Sequence, residues 1–78
     1  MISKALLNSS AEAIDLCEHL KSWDIPARLT VNVSGNPSRY VVFDSTNLTK
    51  AQRVSIDEIH KPDYVRVCIE DVYFEEEV

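Results

Sequence analysis

The chain has 78 residues, with three prolines, one glycine, two cysteines and a formal net charge of −5 at pH 7. This length makes one domain near the lower limit of what folds without staples, and two cysteines cannot form the multi-bridge framework of small secreted domains. The acidic balance leaves no surplus of Lys and Arg to displace counterions, which excludes direct nucleic-acid binding.

Met1 to Leu7 fits neither period well and reads as a short strand or the end of a helix. Its apolar run is too brief, and too broken by Lys4, for a signal peptide, and nothing approaches the length of a membrane span. A reducing cytosol is the expected compartment. Ser9 with Glu12 three residues on predicts a capping box. From Ala11 to Trp23, the residues Ala13, Leu16, Cys17, Leu20 and Trp23 then fall on one helical stripe. Asp24-Ile25-Pro26 ends that helix, because the residue before a proline is pushed out of the helical region.

The stretch from Pro26 to Asp44 predicts a hairpin around Gly35-Asn36-Pro37. With Ser34 opposite Ser38, Val33 faces Arg39, Val31 faces Val41 and Leu29 faces Phe43 on one side. Asn32 faces Tyr40, Thr30 faces Val42 and Arg28 faces Asp44 on the other. Directly opposed residues share a face, so one side is apolar and the other polar. Ser45-Thr46-Asn47 is a turn-rich link. Thr49 with Gln52 gives a second capping box, and Lys50 to His60 predicts a second helix, although Val54-Ser55-Ile56 also alternates as a strand would. Lys61-Pro62-Asp63 ends it. Tyr64 to Glu70 alternates as a strand, with Val65, Val67 and Ile69 on one face and Tyr64, Arg66, Cys68 and Glu70 on the other.

The order β, α, β, β, α, β predicts an α+β, ferredoxin-like fold: an antiparallel sheet of three to four strands with two helices on one face. If Met1 to Leu7 is not a strand, three strands remain. In either case residues 1–78 form a single domain, and one sheet face stays open.

That face is expected to show Arg28, Thr30, Asn32, Tyr40, Val42, Tyr64, Arg66 and Cys68. Tyr and Arg are enriched at binding hot spots, so the face is a candidate partner or self-association surface; the plain alternative is a solvated sheet. It does not suit RNA, because Arg39-Tyr40-Val41-Val42-Phe43 lacks the Gly of an RNP1 motif. Residues 71–78 read as an acidic tail. The last nine residues hold Glu70, Asp71, Glu75, Glu76 and Glu77 with no base, whereas residues 1–69 carry eight acids and eight bases. Tyr73 beside Glu75, Glu76 and Glu77 can dock on a basic partner and speed encounter; the plain alternative is a solubilising end.

Cys17, His19, His60 and Cys68 are metal-ligand types, but Cys17 and His19 stand two apart on a helix and point to nearly opposite sides. Cys17 reads as core, and His60 as a cation near a helix end. A Cys68–His60 dyad has no accompanying oxyanion donor, and no phosphate loop, Cys-x-x-Cys or nucleophile elbow is present. No metal or cofactor is expected.

The expected function is therefore non-catalytic: a small cytosolic inhibitor, adaptor or accessory factor that binds a protein, the profile of such factors encoded by phages and other mobile elements. Arg28, Asn32, Tyr40, Val42, Tyr64, Arg66, Tyr73, Glu75, Glu76 and Glu77 are its candidate contact residues. Two alternatives come from other classes. One is a ligand-binding or regulatory homodimer; the other is an acidic nucleic-acid mimic using Asp15, Glu18, Asp57 and Glu58 in line with the tail.

Overall fold

Two hydroxyl caps set the helices. Ser9 accepts the Glu12 backbone N–H at 3.2 Å and starts α1 (Ser10–Ser22), and Thr49 does the same for Gln52 at 3.1 Å to start α2 (Lys50–Ile59). The capping box is complete only in α2, where the Gln52 side chain accepts the Thr49 N–H at 3.0 Å. In α1, Glu12 turns instead toward His60. The chain is described here by a computed structural model, which covers residues 1–31, 34–69 and 71.

Helix α1 ends by a different device from the one expected. Asp24 takes a left-handed conformation (φ 59°), which lets the Ile25 N–H reach the Leu20 carbonyl and the Asp24 N–H reach that of Lys21, each at 3.0 Å. This is the paired-bond stop usually made by glycine, and buried Ile25 and Leu20 supply its apolar contact. Proline 26 only follows it.

The strands are β1 (Ile2–Leu6), β2 (Ala27–Val31), β3 (Pro37–Asp44) and β4 (Asp63–Val65). They form one antiparallel sheet in the order β2-β3-β1-β4, with both helices packed on it: the ferredoxin-like arrangement. Met1 to Leu7 thus holds a central strand. Its side chains do not alternate cleanly because both of its faces meet other parts of the chain: Ala5 is fully buried, and on the other side Lys4 is mostly covered. The core lies between sheet and helices, where Ala5, Leu7, Val41 and Phe43 meet Ala13, Leu16, Cys17 and Leu20 of α1 and Ile56 of α2.

The hairpin register is two residues away from the expected one: Leu29 pairs with Val41, Arg28 with Val42 and Ala27 with Phe43, with an irregularity between Leu29 and Val31. A slip of two preserves the faces, so Leu29, Val41 and Phe43 still share the core side. It does break the expected Arg28–Asp44 pair. Asp44 instead accepts the Thr46 N–H at 3.0 Å and the Thr46 hydroxyl at 2.6 Å. The expected strand Tyr64 to Glu70 is shorter, ending at Val65. Beyond it the chain turns back on itself. The Asp71 N–H bonds the Cys68 carbonyl at 3.1 Å, while the Asp71 carboxylate accepts the Cys68 N–H at 2.7 Å.

Candidate interaction surface

Strand pairing sorts the expected contact residues, because directly paired residues point the same way. Lys4 pairs with Val42, which pairs with Arg28, and Leu6 pairs with Tyr40; these stand on the face without helices. Thr30 belongs to the same face. Its hydroxyl bonds that of Ser38 and donates to the Tyr40 carbonyl at 3.3 Å.

Tyr64 does not join them. It pairs with fully buried Ala5 and so points to the helix side. There its hydroxyl donates to Asp57 at 3.0 Å, and the Arg53 guanidinium lies 4.3 Å from its ring centre. Burial, followed by the Asp57 carboxylate, pushes its phenol up to about 12. The expected phase of this strand is inverted, since Val65 rather than Tyr64 stands beside Lys4 on the helix-free face. Three residues are too few for alternation to fix phase; the Asp57 contact does so. Arg66 is exposed but lies past the end of β4. Asn32, Tyr73, Glu75, Glu76 and Glu77 lie outside the described residues.

Val42 is placed on the expected face, but it is fully buried there and offers no contact area. The face is not open as expected, because the chain's own C-terminal turn reaches across to it. Asp71 is almost wholly buried, and its carboxylate stands 3.2 Å from the Lys4 ammonium. The same ammonium lies 5.0 Å from the Tyr40 ring centre, within cation–π range. Lys4 and Asp71 were not legible as partners: a lysine in an ambiguous strand and an acid in a charged tail carry no pairing signal. Arg28, Thr30 and Tyr40 remain half-exposed on this face.

A second cluster lies between the helices. His60, the C-cap of α2, is buried, and its Nε2 stands 3.1 Å from Nδ1 of His19 on α1. The ring centres are 5.4 Å apart, close to the nitrogen separation plus one ring radius at each end, so the two nitrogens point straight at each other. That is a hydrogen bond, not the angled approach of two ligands sharing an ion. Nδ1 of His60 lies 3.8 Å from the Glu12 carboxylate. Of the two facing nitrogens, one donates and the other accepts. His19 also packs against Trp23, with ring centres 4.2 Å apart and ring planes tilted by 49°. Burial, and then the neighbouring His60, hold the His19 imidazole below its ordinary value. His60, expected near the end of α2, is found there as its C-cap, but turned inward, where it joins the two helices.

Cys17 is buried in the core and its thiol is pushed up, chiefly by burial; Cys68 is exposed. His60 is therefore engaged by His19, not by Cys68. Among the described residues no three His, Cys, Asp or Glu side chains converge as metal ligands would, and no helix is long and apolar enough to cross a membrane. Asp57, one of the carboxylates expected in a nucleic-acid mimic, is held by Tyr64 and by Arg53 at 3.8 Å.

The class is thus an α+β, ferredoxin-like domain whose helix-free face is spanned by an ion pair to its own C-terminal turn. No protein-family model, curated protein or solved structure matches the chain, so the surface is read from its own chemistry.

Proposed function

We propose that this chain is a small, non-catalytic, cytosolic protein-binding domain, an inhibitor, adaptor or accessory factor, whose contact surface is the helix-free face around Tyr40 and Arg28. The observation that supports this most is the makeup of that face. The Tyr40 ring and the Arg28 side chain lie half-exposed there beside the Lys4 ammonium, and no helix among the described residues covers them. A ring with a polar tip and a long guanidinium give large contact area with directional bonds, the combination favoured at hot spots. Tyr64, on the other side of the sheet, has no part in this surface, and Arg66 lies past the end of β4.

The test is capture from host lysate with the full chain as bait, beside a Tyr40→Ser/Arg28→Ser bait whose thermal midpoint is checked. A partner retained by the parent chain and lost by a double variant of similar stability supports the reading. Equal capture by both baits removes the face as the contact surface.

A further inference from the structure

The face already holds an occupant, and the occupant shows what it recognises. Asp71 arrives at the end of a turn that it closes itself, by accepting the Cys68 N–H, and it delivers a carboxylate to Lys4. Side-chain exposure is only 16% for Lys4 and 7% for Asp71, so the pair is desolvated rather than a loose surface contact. The rest of the site is preformed on rigid strands. Tyr40 lies under the lysine ammonium, Val42 forms the floor, and Val65 flanks Lys4 on β4. By contrast, the segment that fills it follows the last strand, and among the described residues it reaches the site through the Asp71 carboxylate. Ile69, in the same turn, is 74% exposed and adds little to the hold.

We propose that the Lys4–Tyr40 site is a receptor for an acidic segment of the protein partner, and that Asp71 occupies it in the free chain as an internal competitor. This inference rests on the binding function proposed above and names the chemistry of the partner: a peptide presenting a carboxylate to the Lys4 ammonium. A receptor that carries its own ligand binds an outside segment more weakly by the fraction of time the site is empty. Loss of the Asp71 carboxylate therefore strengthens binding in trans, while loss of the Lys4 ammonium abolishes it. The charge requirement separates this mode from simple apolar docking, which neither change would affect in that pattern.

The test uses the full chain and a fluorescent synthetic peptide with the sequence of residues 66–78, titrated by anisotropy. Asp71→Asn in the full chain is expected to tighten peptide binding at least about tenfold, the scale of freeing a mostly occupied site. Lys4→Met is expected to remove binding, as is Asp71→Asn within the peptide itself. Should the Asp71→Asn chain fold poorly, the parent chain gives the same answer by amide NMR, where saturating peptide shifts the Cys68 and Asp71 resonances as their turn is released. Equal peptide affinity in the parent and Asp71→Asn chains overturns the proposal, as does undiminished binding to Lys4→Met. So does equal binding of a single-stranded oligonucleotide of matching charge. If these fail while lysate capture still depends on Tyr40 and Arg28, the internal-competitor idea falls alone; if capture is also indifferent to those residues, the binding function falls with it.

Discussion

Replacing His19 tests how α2 is fastened. In His19→Ala, the buried His60 Nε2 loses the 3.1 Å hydrogen bond it makes with His19, and Trp23 loses the tilted ring packed against it. A stranded buried polar atom costs about 1–3 kcal/mol, and a ring pair adds about 0.5–1.5 kcal/mol. The expected loss is thus roughly 1.5–4.5 kcal/mol, or a Tm lower by about 9–27 °C for a chain of this size. His19→Gln keeps a donor near His60 and should recover part of it. The two variants also differ from the parent in their response to pH. Because the folded chain holds the His19 imidazole below its ordinary value, the unfolded chain takes up a proton first as pH falls. The stability owed to this group is whole above about pH 6.5, the ordinary histidine value, and drains away as pH drops toward the lower folded value. Thermal melts by circular dichroism across about pH 8 to 5, the range in which histidine titrates, should therefore show a steeper loss for the parent than for His19→Gln. Equal slopes, or a His19→Ala chain as stable as the parent, would refute the proposed fastening.

Three further outcomes follow from the geometry. Asp24 sits at φ 59°, where an L side chain costs about 1–2 kcal/mol and glycine does not; Asp24→Gly should raise the urea midpoint by an equivalent of about 1 kcal/mol after glycine's greater unfolded freedom is subtracted. A double-mutant cycle with Lys4→Met and Asp71→Asn should give a coupling of about 1–3 kcal/mol in denaturant melts. It should stay below the full cost of a stranded buried charge, because a displaced turn can return Asp71 to water, and coupling near zero would mean the pair is not formed. Tyr64, with its phenol at about 12, should give a late step in an ultraviolet titration, and that step should vanish in Tyr64→Phe. Its contribution to stability is complete below about pH 10, the ordinary tyrosine value, and disappears as pH rises through the folded value.

The fold was readable where residue spacing and local chemistry agree. Ser9 and Thr49 announce their helices, the α1 stripe marks the core, and the period of two in the hairpin keeps its faces even though its register moved. It was not readable where a residue answers to something distant in the chain. Asp44 chooses Thr46 over Arg28, so the hairpin's charge pair could not fix the register. Tyr64 is oriented by a carboxylate on α2, which strand alternation does not encode. The candidate surface divides in the same way. Arg28, Tyr40 and Val42 were placed on the helix-free face by period alone, whereas Lys4 and Asp71, which span it, meet only through tertiary folding. His19 and His60 stand 41 positions apart, and nothing local to either residue points to the other.

Helix α2 buries one residue completely, Ile56, whereas α1 buries Ala13, Leu16, Cys17 and Leu20. The domain is therefore a firm body of sheet and first helix, with the second helix held to it mainly by polar contacts at its C-terminal half: Tyr64 to Asp57, and His19 to His60. Amide hydrogens of α2 should exchange through a sub-global opening that leaves the protection of the sheet and α1 intact, so this helix opens more readily than α1. Mild acid, which competes for the histidine bond, would lower the cost of that opening well before the chain as a whole unfolds.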